Sequence, residues 1–282
     1  MQLKEALASA ISRLTAQDVP SPRMNAELLL IFILECDRAY LFAHPERALS
    51  DDELSRYEAV LAERIRGVPA QYITGHQEFW GMDLIVSPAI LIPRPETEHL
   101  IETVLDLSSA RDGGIRIVDV GTGSGCIALA LAKELANAEI DATDISLAAL
   151  EIARANAVRL QLEDRIHFRQ SDLLAGLNPP FDFVISNPPY VGESEADQVQ
   201  LEVRKFEPHD AVFAGPTGLE VIMRLIPQAH ATLRPGGWLL MEISGTIAEQ
   251  VKGLLEDWDE VQIKPDLQSI PRVAMARKPS ES

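Results

Sequence analysis

Asn187 is followed by Pro188, Pro189 and Tyr190, and residues 181–186 before it are mostly apolar and β-prone. A strand running into this sequence must stop, because neither proline carries an N–H for a sheet ladder. Pro188 restricts Asn187 to extended backbone angles, so the Asn187 carboxamide is aimed rather than free. The missing N–H groups also leave a nearby carbonyl, such as that of Pro188, open as an acceptor. Tyr190 adds a flat ring. Two oxygen acceptors beside an aromatic face suit a planar NH2 group, either a carboxamide or the exocyclic amine of a base. A strand that simply ends in a Pro-Pro turn would look the same locally.

A second constellation lies upstream. Gly121-Thr122-Gly123-Ser124-Gly125 separates a β-prone run at 116–120 from a helical run at 126–135. Glycine lets the backbone pass close to a ligand, and the helix it opens attracts negative charge. Asp144 falls at the end of the next expected strand, where a carboxylate can accept both hydroxyls of a ribose. A dinucleotide needs its pyrophosphate cradled, usually by Gly-x-Gly-x-x-Gly. Here the third glycine, Gly125, comes one residue early, which favours an adenosine cofactor without phosphate, S-adenosylmethionine. Asp119 could hold the amino group of its methionine part or could be a polar residue at the sheet rim. Asp172 could accept from the adenine amine or could cap a helix from Leu173 onward.

These residues need a scaffold. From about residue 115 strand-like and helix-like segments alternate, the pattern of a mostly parallel sheet with helices on both faces. The expected strands are 116–120, 139–143, 166–171, 181–186, 238–243, 261–264 and 272–276. The expected helices are 126–135, 147–160, 218–233 and 247–255. Residues 1–74 read as a small helical bundle. Leu3, Leu7, Ile11 and Leu14 share one helix face, a second helix is expected from about 24 to 36, and Ser50 to Glu53 is a capping box opening a third. Residues 75–93 form a linker with a β-hairpin around Trp80-Gly81. Residues 94–282 complete the catalytic domain, starting with a helix entered through Pro95 or Thr97 and running to Leu107. The 92–98 segment could be a linker with a capped helix, or its closeness to the start of the second domain could give it a role in covering a ligand.

The chain has 282 residues and a net charge of −18, with 46% hydrophobic and 24% charged residues. Such acidity disfavours non-specific binding to nucleic acid, whose affinity comes largely from Lys and Arg on phosphates. Cys36 and Cys126 stand in unrelated contexts, giving neither a disulfide framework nor a metal cluster, and they fit a reducing cytoplasm. The N-terminal stretch is amphipathic and unlike a signal peptide, and no segment is apolar enough to span a membrane. A monomer is expected. His167 and His209 are assigned no catalytic role.

The run Asp119 to Gly125 followed by Asn187-Pro188-Pro189-Tyr190 resembles the amino-methylating class of S-adenosylmethionine-dependent methyltransferases. More narrowly, Gln71 to Gly75, Glu78-Phe79-Trp80-Gly81 and Leu91 to Glu98 look like the peptide chain release factor glutamine methyltransferases, the HemK/PrmC family. Phe206-Glu207-Pro208 and Gly218-Leu219 also fit, and the likeness runs from about Leu3 to Arg277. It implies an α/β fold: a Rossmann-like class I methyltransferase domain preceded by a helical bundle that recognises the substrate. It implies methyl transfer from S-adenosylmethionine to the side-chain amide of the glutamine in the Gly-Gly-Gln motif of release factors. On that likeness Gly121, Thr122, Gly123, Ser124, Gly125, Asp144, Asp172, Leu173 and Asn187 contact the cofactor. Asn187, Pro188, Pro189, Tyr190 and Phe79 contact the glutamine, with Asn187, Pro188 and Tyr190 catalytic and no metal. Members of the family often have an aromatic residue where Leu173 stands, so adenine packing is expected to be looser. Glu242 to Gly245 and Ile270 to Arg272 are less typical. A nucleic-acid adenine methyltransferase, which would take a flipped-out base into the same socket, is the competing reading.

Overall fold

The computed structural model describes residues 1–109 and 113–280. They form two compact units, one of Met1–His76 with Gln200–Phe206, the other of Gln77–Val199 with Glu207–Ser282.

The first unit is helical: α1 (Leu3–Ala16), α2 (Pro22–Leu34), α3 (Arg38–Ala43), α4 (Asp51–Ile65) and α5 (Ala70–Thr74), with a later helix at Leu201–Phe206. The 3.6-residue spacing of apolar side chains brings Leu3, Leu14, Leu29, Leu30, Tyr57 and Leu61 into one core. The Tyr57 hydroxyl, buried with its ring, donates to the Ala26 carbonyl at 2.9 Å. The capping box forms as the sequence predicts, with Ser50 Oγ accepting from the Glu53 N–H and Glu53 accepting from the Ser50 N–H. The second helix starts at Pro22, two residues earlier than expected, because a proline at the first helical position loses nothing. The short α3 and α5 carry too few turns to show a periodicity, and the sequence reading missed both.

The second unit opens with the hairpin β1 (His76–Phe79) and β2 (Met82–Ile85). Trp80 and Gly81 take φ of +52° and +63°, the left-handed pair that matches a two-residue turn to strand twist. Next come a 3₁₀ turn (Pro95–Thr97) and α6 (Glu98–Ser108). The alternation expected from residue 115 then appears: β3 (Ile115–Val120), α7 (Cys126–Glu134), β4 (Ala138–Asp144), α8 (Leu147–Arg159), β5 (Ile166–Gln170) and β6 (Phe181–Ser186). After the short β7 (Val191–Gly192) follow α9 (the helix at Leu201–Phe206), α10 (His209–Val212) and β8 (Phe213–Gly215). Helix α11 (Glu220–Thr232), β9 (Leu233–Glu242), α12 (Ala248–Leu254), β10 (Asp259–Pro265) and β11 (Pro271–Arg277) complete the chain. Strand β9 begins at Leu233, five residues before the expected Trp238, so Pro235-Gly236-Gly237 lies inside the strand.

The main sheet has the order β10-β11-β9-β6-β3-β4-β5. Pairs β9/β6, β6/β3, β3/β4 and β4/β5 are parallel, while β11 and β10 are antiparallel additions. The chain moves outward from β3 through β4 to β5, then returns to the other side of β3 as β6. That reversal opens a crevice at the carboxyl ends of β3 and β6, where α/β sheets bind ligands. Apolar clusters cover both sheet faces, one around Ile117, Leu129, Phe183 and Leu240, the other around Val118, Val184, Leu225 and Met241.

Gly218 shows how tightly the crevice is framed. Its φ is +83°, and a Cβ there would lie 2.5 Å from the Tyr190 carbonyl oxygen. Gly218→Ala should therefore destabilise the protein by about 2 kcal/mol or more in urea unfolding, through backbone strain and displacement of the segment at Tyr190. Gly253 sits in α12 with nothing within 4 Å of its missing Cβ. Gly253→Ala should instead stabilise by about 0.5–1 kcal/mol.

Candidate active site

The residues singled out from the sequence gather at the carboxyl ends of the parallel strands. Gly121 follows β3, Asp144 ends β4, Ser171 to Leu173 follow β5 and Asn187 follows β6; Glu242, not among them, ends β9. A cavity of about 580 Å³ lies there, lined by Gly121 to Ser124, Asp144, Asp172, Leu173, Asn187 and Pro189 among others. Ala89 to Leu91, Pro93, Arg94 and Thr97 form another wall, so the 92–98 segment does cover the site.

Gly121, Gly123 and Gly125 all have positive φ, a conformation only glycine takes without cost. Nothing lies within 4 Å of a Cβ placed on Gly121 or Gly123, so the turn offers bare backbone to the cavity. A Cβ on Gly125 would meet Ala153 and Leu129 at 3.2 Å, so that glycine serves close packing of α7 and α8 and is absent from the cavity lining. Asp144 Oδ2 accepts from the Gly123 N–H at 2.9 Å and Oδ1 from the Ser146 N–H at 2.9 Å. Each oxygen keeps a further lone pair for a ligand. Burial pushes the Asp144 carboxyl above its ordinary range, and the backbone donors pull it back.

Asp119 is fully buried. Its Oδ2 accepts from Thr122 Oγ1 at 2.6 Å and the Ala128 N–H at 3.3 Å, while Oδ1 has no partner among the described residues. Burial lifts its pKa to about 7. A buried carboxylate with a spare oxygen beside the glycine turn suits a cationic group. Asp172 pairs with Arg224 at 2.5 Å, which uses one of its oxygens at the cavity edge. Leu173 has φ +54°, and its carbonyl accepts from Thr143 Oγ1 at 3.1 Å, so the loop after β5 is held in place.

Three sequence expectations need correction. Phe79 is 1% exposed and packs in the sheet core, because the hairpin strand alternates and turns this ring inward, so it cannot touch a substrate. Pro188 is buried, and Pro189 is the proline that lines the cavity. The Tyr190 ring is no wall of the socket. It packs on the second apolar cluster, and its hydroxyl donates to Glu242 Oε1 at 3.1 Å.

The sequence reading also missed two residues. Asn187 Nδ2 donates to Thr97 Oγ1 at 3.1 Å, and Thr97 Oγ1 donates to Glu242 Oε2 at 2.6 Å. Thr97 reads as a helix start and Glu242 as the end of an apolar strand, so local pattern gave no sign of either role. The one available signal was a glutamate inside the apolar run 238–243, since carboxylates are rarely buried without partners. Another buried carboxylate, Glu207, accepts from the Ile92 N–H at 3.1 Å and pairs with Arg94. It ties the 92–98 segment to the residues before α10.

The raised pKa of Asp119 has a consequence for stability. In the unfolded chain it ionises near 3.9, so between that pH and about 7 only the folded state keeps the proton. Folding stability from this residue therefore falls as pH rises across that window. Between pH 5 and pH 8 the wild type should lose about 2 kcal/mol more than Asp119→Asn, measured by urea unfolding of both proteins.

Among the described residues no helix is long and apolar enough to cross a membrane, and no group of three or more His, Cys, Asp or Glu could hold a metal. The PrmC N-terminal domain family matches residues 5–75, and the methyltransferase small domain family matches residues 97–205. The release factor glutamine methyltransferase of Koribacter versatilis is 57% identical over 282 residues, covering 99% of this chain and 100% of that protein. That of Rhodopirellula baltica is 38% identical over 266 residues, covering 92% of this chain and 90% of the other. Among solved structures, the hMettl16 catalytic domain in complex with an RNA hairpin superimposes with a TM-score of 0.59 at 19% identity, covering 83% of each chain. The T. thermophilus 16S rRNA N2 G1207 methyltransferase in complex with AdoMet and guanosine gives a TM-score of 0.53 at 20% identity, covering 72% of this chain and 49% of that one. These two likenesses speak for the fold alone. With near-complete coverage at 57% identity, the chain belongs to the release factor glutamine methyltransferase family.

Proposed function

We propose that this protein transfers a methyl group from S-adenosylmethionine to the side-chain amide nitrogen of the glutamine in the Gly-Gly-Gln motif of peptide chain release factors. The observation that carries the reading is Asn187: it lines the cavity beside the glycine turn, and its Nδ2 donates to Thr97, which leaves Oδ1 to accept from a ligand. The bare backbone of Gly121 and Gly123, the carboxylate of Asp144 and the spare oxygen of Asp119 fit the uncharged ribose and cationic amino acid part of this cofactor. Asp172 and Leu173 stand at the edge where its base would lie. When bound, the cofactor supplies a methyl group on a positively charged sulfur.

Each residue of the socket then has a task. An amide nitrogen is a weak nucleophile because its lone pair is delocalised into the carbonyl. Asn187 Oδ1 accepts one N–H of the substrate amide. This favours electron density on nitrogen and orients the lone pair. Pro189 closes the cavity beside it. Holding the amide in one attitude provides acceleration by proximity rather than by a strong base. The methylated nitrogen becomes acidic and afterwards loses one proton to solvent, so no dedicated base is required.

A single glutamine offers little surface, so selection of one protein calls for a second contact, and we assign it to the helical unit. Met24, Leu28 and Phe32 recur every four residues on the exposed face of α2, with Met24 62% exposed, and Phe42 on α3 is 59% exposed. An exposed apolar set of this kind suits a protein partner.

The cofactor and catalytic assignments are separable. Asp144→Ala should weaken S-adenosylmethionine binding by about 1–3 kcal/mol in calorimetry. Asn187→Ala should keep near-normal cofactor affinity but lose roughly a hundredfold in kcat on intact release factor. Unchanged values would sink the respective assignment. Recognition is tested with Met24→Ser combined with Phe32→Ser. The KM for intact release factor should rise about tenfold at unchanged kcat, while activity on a short Gly-Gly-Gln peptide stays as it was. A KM that does not move would free the helical unit from that role.

A further inference from the structure

The orientation of the Asn187 amide is not set by Asn187. A carboxamide is nearly symmetric in shape, so packing alone barely distinguishes oxygen from NH2 at its two ends. The surroundings must decide which end meets a ligand. Here the decision runs through a chain of three hydrogen bonds, Asn187 to Thr97, Thr97 to Glu242 and Tyr190 to Glu242. Thr97 and Glu242 are both 2% exposed, so water does not supply substitute partners.

The direction of the chain follows from what each group can do. An ionised carboxylate only accepts. Tyr190 keeps its proton, since burial and the neighbouring Glu242 raise its pKa well above the ordinary phenol range, and it donates to Oε1. Thr97 has one hydroxyl proton, and Oε2 at 2.6 Å takes it. The Thr97 oxygen can then only accept, so Asn187 must turn its NH2 toward it. Were Asn187 reversed, its oxygen would face an oxygen with no proton to share.

On the reading of Asn187 as an acceptor of the substrate amide, we propose that Glu242 and Thr97 are positioning residues that fix the polarity of the Asn187 carboxamide. They present an oxygen to the incoming NH2 and exclude the reversed state, in which two NH2 groups would meet. Neither residue needs to touch the glutamine for this.

The device works with Glu242 ionised. A protonated Glu242 could donate to Thr97, whose own proton would then be free to bind Asn187 Oδ1 and hold the amide reversed. Burial raises the Glu242 pKa. The hydrogen bonds from Thr97 and Tyr190 and the charge of Arg272 on β11 favour the ionised form, and Glu96 opposes it. Cys126 at the start of α7 also senses Glu242, but burial holds its thiol up at about 12, so it stays neutral. The charge of Arg94 also acts on Tyr190, opposing the rise of its pKa. Activity should therefore fall on the acid side at a pH above the ordinary carboxylate range of about 4.3.

Two nearly isosteric substitutions test this. Glu242→Gln leaves either Thr97 or Tyr190 without its acceptor, and Thr97→Val removes the group that holds Asn187. Measured on intact release factor, kcat should fall roughly tenfold in Glu242→Gln and up to about a hundredfold in Thr97→Val, with cofactor affinity close to wild type and a melting temperature a few degrees lower, as loss of a buried hydrogen bond requires. Combining them should cost no more than Thr97→Val alone, since both act through one chain. Thr97→Ser, which restores the hydroxyl, should recover most of the activity. The acid limb of the kcat profile should disappear in Glu242→Gln. A purely structural role would lower the melting temperature while leaving both the kcat of the folded protein and the pH profile in place, and that result overturns the proposal. A readout independent of methyl transfer is hydrogen exchange of the Asn187 side-chain NH2, followed by NMR in protein labelled with 15N-asparagine. It should be slow in the wild type and faster in Thr97→Val. If the wild type fails to methylate release factor, the amide-methylation reading is lost, and equal exchange rates in the two proteins would separately overturn the positioning role.

Discussion

A carboxylate buried at the end of a central strand must find its partners inside the protein, and Glu242 finds them in Thr97 and Tyr190. An unpaired charge at such depth would cost several kcal/mol, while each hydrogen bond to it returns about 1.5–3 kcal/mol. The requirement ties together three segments far apart in sequence: the entry to α6, the Asn-Pro-Pro-Tyr turn and the end of β9. Because Tyr190 is bound to the same carboxylate as Thr97, the turn after β6 has little freedom to rotate. Gly218 holds the other side of that turn, with room for no side chain against the Tyr190 carbonyl.

The sheet order places these segments side by side. Strands β3 and β6 are neighbours although about sixty residues separate them, and the chain reverses direction across the sheet between them. The turns that leave their carboxyl ends therefore diverge and open the crevice. The glycine turn forms one lip with exposed backbone, and the proline turn forms the other with aimed acceptors. Buried asparagine gives the crevice a further tie. Asn156 on α8 donates to the Ser124 carbonyl and bonds both backbone groups of Ile85, so the hairpin strand, α8 and the glycine turn share one side chain.

Much of this was legible in the residues. Alternating β-prone and helical runs set the order and type of the elements after residue 115, because a period of two or of 3.6 is a local property of the chain. Proline after Asn187 and glycine at 121, 123 and 125 are equally local, since they restrict or release the backbone at their own positions. Asp144 could be placed because a strand end and a glycine turn lie a fixed distance apart in a parallel unit. The short helices α3 and α5 could not be read, having too few residues to repeat a pattern. Phe79 and Tyr190 misled for a related reason: an aromatic residue near a motif looks like a wall of the site, yet both rings are needed by the core.

The sequence by itself thus determined the kinds of element, the two turns and the chemical character of the groups on them, all of which depend on neighbours a few residues away. Only the tertiary structure decided that Thr97 and Glu242 meet, 145 residues apart, and that Asn187 bonds the first of them. Hydrogen-bond partners in a buried network are chosen by which strands lie adjacent and how far their ends project. No local period encodes that choice, because it is made when the sheet closes and water is removed from the carboxylate.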